Sequence, residues 1–184
     1  KTLVIAVSQS GETADVLEAV KSAKAKKSKV ISLVNVVGSS LTRSSDMFLN
    51  INAGPEICVL STKTYTSQVA LFTLLSYALN DRYEEGRKRL NYLWNEIYQL
   101  TSATTREKIK ELAEKLQDKD HIFLIGRGLQ YATALEAALK IKEVSYIHAE
   151  ALAGGELKHG TIALIENGTP CIVFVSGESE REIL

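Results

Sequence analysis

Five short runs in this chain of 184 residues are apolar at nearly every position, not at alternate ones: residues 3–7, 30–34, 47–51, 122–125 and 171–175. A strand that alternates can leave one face in water. A strand apolar throughout calls for cover on both faces, which is the setting of a parallel sheet between helices. Two of the runs pass through a Gly- or Ser-rich turn into a helical pattern. Residues 3–7 lead through Ser8-Gln9-Ser10-Gly11-Glu12-Thr13 into 14–24, and residues 122–125 lead through Gly126-Arg127-Gly128 into 131–147. Strand–loop–helix is the building unit of doubly wound folds. The sequence therefore predicts an α/β fold with mostly parallel sheets flanked by helices, and the two strand–loop–helix units read as equivalent parts of a duplicated fold.

The middle of the chain differs. Residues 64–80 are apolar nearly all round, through Val69, Leu71, Phe72, Leu74, Leu75 and Leu79, and predict a buried helix. Leu90, Leu93, Trp94, Ile97 and Leu100 form one stripe at helical spacing, and Ile109, Leu112, Ala113 and Leu116 form another. These predict two amphipathic helices broken near Thr101-Ser102-Ala103. The organisation expected is a first lobe over 1–81, bridging helices over 82–118 and a second lobe over 119–184. The first lobe offers three strands and the second two, so both lobes read as incomplete and the chain as a piece of a longer protein.

Composition narrows the function. Lys and Arg total 22 and Asp and Glu total 22, so no net charge draws the chain to nucleic acid or to an anionic membrane. The longest apolar stretch, residues 69–79, is interrupted by Thr73 and Ser76 and is too short to span a bilayer. No export signal opens the sequence. Cys58 and Cys171 each lie in an apolar run and are expected to be buried free thiols in a reducing compartment, which points to the cytoplasm.

The turn at residues 8–13 carries the clearest chemistry. A helix start leaves backbone N–H groups unpaired and slightly positive, which suits a phosphate. Ser8, Ser10 and Thr13 add hydroxyl donors, Gln9 adds an amide, and Gly11 lets the backbone approach closely. The alternative is a plain helix cap by Ser10 and Thr13. Ser61-Thr62-Lys63-Thr64 repeats the donor chemistry at a second expected helix start. Gly126-Arg127-Gly128 has Tyr131 where a dinucleotide fingerprint needs a third glycine, so the turn is expected to be tight and to hold neither nicotinamide nor flavin.

On the helix that follows, Glu136, Lys140 and Glu143 stand at i, i+4 and i+7 and share a face bordered by apolar residues. Such a face is a pair of surface ion pairs or, when half-buried, an acid–base group. Further on, the segment from His148 to Gly160 holds two histidines and two glutamates. No metal-ligand spacing is present: His148-x-Glu150 with Pro170-Cys171 lacks the second cysteine of a zinc deaminase, because position 174 is Phe. No metal and no cofactor are expected. His148 reads as structural, and His159, between Lys158 and Gly160 after a Gly-Gly hinge, as the acid–base candidate.

Residues 7–15, 54–63 and 134–160 together resemble the isomerase part of the glutamine–fructose-6-phosphate aminotransferase family, over essentially the whole chain. The resemblance implies two flavodoxin-like sugar isomerase (SIS) lobes. By position it implies that Ser8, Gln9, Ser10 and Thr13 hold the phosphate of fructose 6-phosphate, with Ser61 near the sugar. Glu143 would move a proton between C1 and C2 of the aminated sugar, with Lys140 assisting and Glu136 orienting the pair. His159 would open the sugar ring from the neighbouring subunit of a homodimer. The product would be glucosamine 6-phosphate. The family's glutaminase domain, the opening strand of its first lobe and its C-terminal lysine tail are expected to lie outside this chain. A phosphosugar-sensing module without chemistry, and a related phosphosugar isomerase or deaminase, are the alternatives.

Overall fold

All five apolar runs are strands, and a sixth joins them. The computed structural model describes residues 2–176; the last part of the expected second lobe, 177–184, lies outside the described residues. In chain order the elements are β1 (Leu3–Ser8), α1 (Ala14–Ala25), β2 (Lys29–Val34), α2 (Ser40–Ser44), β3 (Met47–Asn50), α3 (Lys63–Ala78), α4 (Tyr83–Leu100) and α5 (Ala103–Leu116). Then come β4 (His121–Gly126), α6 (Leu129–Ser145), β5 (His148–Ala153), two 3-10 turns at Leu157–His159 and Thr161–Leu164, and β6 (Cys171–Phe174). The chain divides into two compact units between Ile97 and Tyr98, within α4.

In the first unit the sheet order is β1-β2-β3, all parallel. One face of it supplies Ala6, Val30 and Val34, which pack with Val20 of α1 and Leu41 of α2 into a buried cluster. The other face is covered only in part: Leu33 is buried, but Leu3 and Met47 are each about half exposed. The physical reason is that the described helices which pack on this sheet, α1 and α2, pack on a single side. Nor is α3 the buried helix expected. Only Thr64 is buried in it, while Val69 and Phe72 are exposed. It meets α4 where Gly86 lies so close to Tyr77 that a Cβ there would come within 2.7 Å of the Tyr77 side chain.

The second unit orders its strands β5-β4-β6, again all parallel. Ile122, Leu124 and Ala149 of the sheet pack with Ala134 and Ala138 of α6. Small alanines on α6 let the helix lie close against the sheet, and this fixes its Glu136–Glu143 face on the outer side. The missed strand, β5, reads His-Ala-Glu-Ala-Leu-Ala. Alanine and glutamate favour helices, so nothing local marks it as a strand; burial of Ala149 and Leu152 does. Among the described residues the second unit thus has three strands, not two. The two strand–loop–helix units are also not equivalent, since β1 lies at the edge of its sheet and β4 at the centre.

Both cysteines correct the sequence reading: Cys58 and Cys171 are exposed. Cys58 lies on a stretch without regular structure beside Ile57, which is 95% exposed, and Cys171 opens β6 at the sheet edge. Among the described residues no helix is long and apolar enough to cross a membrane.

Candidate functional site

The loop after β1 is built around the Ser8 hydroxyl. Ser8 is buried, and its Oγ accepts the Gly11 N–H at 2.9 Å and lies 2.9 Å from Thr13 Oγ1. Ser10 Oγ accepts the Glu12 N–H at 3.1 Å. Gly11 turns the chain at a φ of +70°, where an added Cβ would overlap the Ser39 side chain. The loop carbonyls are tied back as well: Gln9 accepts from Asn35 N–H at 3.2 Å and Gly11 from Leu41 N–H at 3.0 Å. The donors of the loop are neutral amides and hydroxyls, with no lysine or arginine among residues 8–13.

The plain-cap alternative does not describe this loop. Thr13 occupies the N-cap position of α1, yet no side chain caps the helix. The Thr13 hydroxyl is engaged with Ser8 instead and does not accept from the first-turn amides of α1. Glu12, the one acid within residues 8–13, is turned away. Its Oε1 accepts the Ser40 N–H at 2.7 Å, and that backbone hydrogen bond, reinforced by the Ser40 side chain, holds its carboxyl below the usual range. The loop therefore presents neutral donors with its own carboxylate tied elsewhere, beside a helix start whose first turn carries Asp15.

The second helix start has a different character. Glu56 Oε2 accepts the Thr64 N–H at 3.3 Å and also the Thr64 hydroxyl. Lys63 Nζ donates to the Pro55 carbonyl at 2.5 Å. Of the amides that opened the possibility of an anion site at 61–64, that of Thr64 is thus served by a carboxylate from the same unit. Ser61 is half-buried beside them. Glu56 carries no sequence signal as a cap, because it lies eight residues away from Thr64 across an irregular segment.

On α6 of the second unit the three charged side chains do meet. Lys140 Nζ lies 2.8 Å from Glu143 Oε2 and 3.3 Å from Glu136 Oε1. The lysine side chain is 20% exposed and each glutamate 27%. Burial by itself would lower the Lys140 pKa, but the hydrogen bonds to Glu143 and Glu136, with their charges, outweigh it and raise the pKa above its usual value. Lys140 is therefore a fixed ammonium held between two carboxylates, and Glu143 Oε2 is its nearer partner. This is the half-buried case the sequence left open, not a pair of loose surface bridges.

His159 ends the first 3-10 turn, followed by Gly160 at a φ of +141°. It is exposed, and its Nδ1 lies 2.9 Å from Glu156 Oε2. That contact engages one ring nitrogen of an exposed side chain. The Gly126-Arg127-Gly128 turn is as tight as expected: a Cβ on Gly126 would overlap the Gln130 carbonyl, and Gly128 caps α6 at a φ of +55°.

The chain is similar to known proteins in sequence and in fold. The SIS domain family model matches residues 1–78 and 115–184. Glutamine–fructose-6-phosphate aminotransferase [isomerizing] of Thermococcus kodakarensis is 49% identical over 180 residues, covering 95% of this chain and 30% of that protein. Its namesake in Pyrococcus horikoshii is 48% identical, covering 100% of this chain and 31% of the relative. The chain thus spans about a third of the length of these relatives. Among solved structures, the C-terminal domain of glucosamine-fructose-6-phosphate aminotransferase from Francisella tularensis superposes with a TM-score of 0.86 at 40% identity, over 99% of this chain and 53% of that one. Glucosamine-6-phosphate deaminase from Thermotoga maritima does so with a TM-score of 0.80 at 26% identity, over 98% of this chain and 55% of that one. With parallel sheets, a strand-to-helix donor loop and a family match over most of its length, the chain belongs to the SIS domain family.

Proposed function

We propose that this chain is the sugar-isomerising part of a glutamine–fructose-6-phosphate aminotransferase, acting in the cytoplasm on the path to glucosamine 6-phosphate. Its two units supply parts of two SIS lobes, joined by the helices over 82–118. The phosphate of fructose 6-phosphate is received by Ser8, Gln9, Ser10 and Thr13 together with the first-turn amides of α1, and Ser61 contacts the sugar. Anchoring a remote phosphate supplies binding energy that orients the reacting carbons. Ammonia comes from a glutaminase domain of the same enzyme and converts the C2 carbonyl to an imine, which acidifies the hydrogens on C1. Glu143 then takes a proton from C1 while the imine nitrogen gains one, leaving an enolamine, and returns it to C2 as the C1 hydroxyl releases its proton, so that C1 becomes the aldehyde carbon of the amino sugar. Lys140 assists this proton handling and Glu136 orients the pair. His159 opens the sugar ring at the site of a neighbouring subunit in a homodimer, a role that fits an exposed imidazole whose one hydrogen-bond partner among the described residues, Glu156, is on its own turn.

The observation that carries this reading is the ion triad on α6, with Lys140 between Glu136 and Glu143. A module that only senses a phosphosugar has use for the loop at 8–13 and none for a half-buried acid–base group. The test is Glu143→Gln. Fructose 6-phosphate binding is expected to survive, while exchange of the C1 hydrogen in heavy water with ammonia present falls by about 10²–10⁴-fold, the usual worth of a positioned base. Undiminished exchange would remove Glu143 from the mechanism. Exchange absent in the unsubstituted protein, with sugar phosphate still bound, would favour the sensing module. Preference for another hexose phosphate would favour a related isomerase or deaminase.

A further inference from the structure

On the face of the second sheet opposite α6, strand pairing brings together two histidines that are 27 residues apart in sequence. His121 opens β4 and His148 opens β5, and the register sets them side by side. Their Nδ1 atoms face each other at 3.2 Å, with the rings nearly perpendicular at 84°. Two imidazole nitrogens bound to one tetrahedral zinc at about 2.0–2.1 Å stand about 3.3–3.4 Å apart. The pair therefore already holds the separation that a shared metal imposes, on two strands whose backbones are fixed by the sheet.

The surroundings favour a cation. The pair lines a cleft of about 410 Å³ with Asp120, Glu150 and Glu166, against a single cationic side chain, Lys119. Glu150 lies two residues beyond His148 and so projects from the same face of β5. Among the described residues no three His, Cys, Asp or Glu side chains gather in metal-binding geometry. A site here has two protein donors, and its remaining positions are taken by water or reached through water from the carboxylates.

We propose that the His121–His148 pair is a binding site for a divalent transition metal of the nitrogen-preferring class, zinc or copper, on the face of the sheet away from the α6 triad. In the metal-free protein one Nδ1–H donates to the other ring. Metal binding replaces that hydrogen bond, with each ring coordinating through Nδ1 and keeping its proton on Nε2. The site binds reversibly, since two imidazoles with open positions make a weaker centre than a closed four-ligand one.

The chain has three histidines, which makes the test direct. The exposed thiols Cys58 and Cys171 are first removed together by Cys58→Ser and Cys171→Ser. Zinc chloride is titrated into this chain by calorimetry, and copper(II) is examined by electron paramagnetic resonance. One metal per chain is expected, with two equatorial nitrogens in the copper spectrum. His121→Gln or His148→Gln should each weaken zinc at least about tenfold and leave one nitrogen, and both residues are exposed, so folding is not at issue. His159→Gln should leave the binding unchanged. Zinc affinity in the His121 and His148 variants equal to that of the parent, a loss with His159→Gln, or no zinc binding once the thiols are gone would each overturn the proposal.

Discussion

Each unit turns from its first strand into a helix through a glycine-containing loop, yet the two junctions hold different chemistry. The loop after β1 offers hydroxyls, an amide and an uncapped helix start, and its one carboxylate is tied to Ser40. The turn after β4 is short, and its glycines are used for close packing and a positive φ. There the chemistry has moved off the loop and onto the body of α6. Strand order explains why the two do not match. In the flavodoxin-like order 2-1-3-4-5, the first three strands are neighbours as 2-1-3, the arrangement of β5-β4-β6, and the last three are neighbours as 3-4-5, the arrangement of β1-β2-β3. The units are therefore different portions of one architecture, not two copies of one portion. A similar hydrophobic pattern at two junctions does not make the junctions equivalent.

The contrast can be broken experimentally. The largest effect is expected from Gly11→Ala. A φ of +70° costs a residue with a Cβ about 1–2 kcal/mol, and here the Cβ also overlaps Ser39. Fructose 6-phosphate binding should fall by more than about tenfold, and hydrogen exchange should rise at α1 and β2 but not at α6. Exchange rising equally in both units would mean that the loop does not belong to the first unit's packing alone. Ser8→Ala is expected to cost less, about 1–3 kcal/mol, because it leaves the buried Gly11 N–H without its acceptor. A thermal melt measures the stability loss, and a sugar-phosphate titration should show a weakened but retained site. The smallest effect should come from Asp46→Asn. The Val30 N–H, at 2.8 Å, is the main reason the Asp46 pKa lies below its usual value. A depressed carboxylate stabilises the fold above its unfolded pKa and loses that contribution as pH falls through the folded one. The melting difference between the two proteins should thus be present at neutral pH and close as the solution is made acidic. A gap that persists in acid would assign it to packing.

Much of this was legible in the sequence, for reasons that particular residues make clear. Continuous apolar runs found five strands because buried parallel strands have no polar face to hide the signal. The α6 triad was legible because helical spacing alone puts residues 136, 140 and 143 on one face. Strand β5 was missed because alanine and glutamate carry no strand preference, and its existence depends on tertiary burial. Cover was overestimated: the apolar character of α3 and of the outer face of β1 says that these surfaces can be buried, not that a described element buries them. The His121–His148 pair was out of reach for a different reason. Metal-site patterns are searched at short spacing, whereas here the pairing register of two strands supplies the proximity. Glu56 at the start of α3 is hidden in the same way.

The donor loop at residues 8–13 contains neither lysine nor arginine. Attraction between mobile ions and exposed side-chain charges fades as electrolyte is added, with a screening length of about 10 Å at 0.1 M. Directed amide and hydroxyl hydrogen bonds at contact distance are far less sensitive to it. A sugar phosphate seated on this loop should therefore keep nearly the same affinity from dilute buffer to several hundred millimolar potassium chloride. Titrations across that range would show a shallow slope, whereas a steep one would point to a cationic side chain supplied from elsewhere.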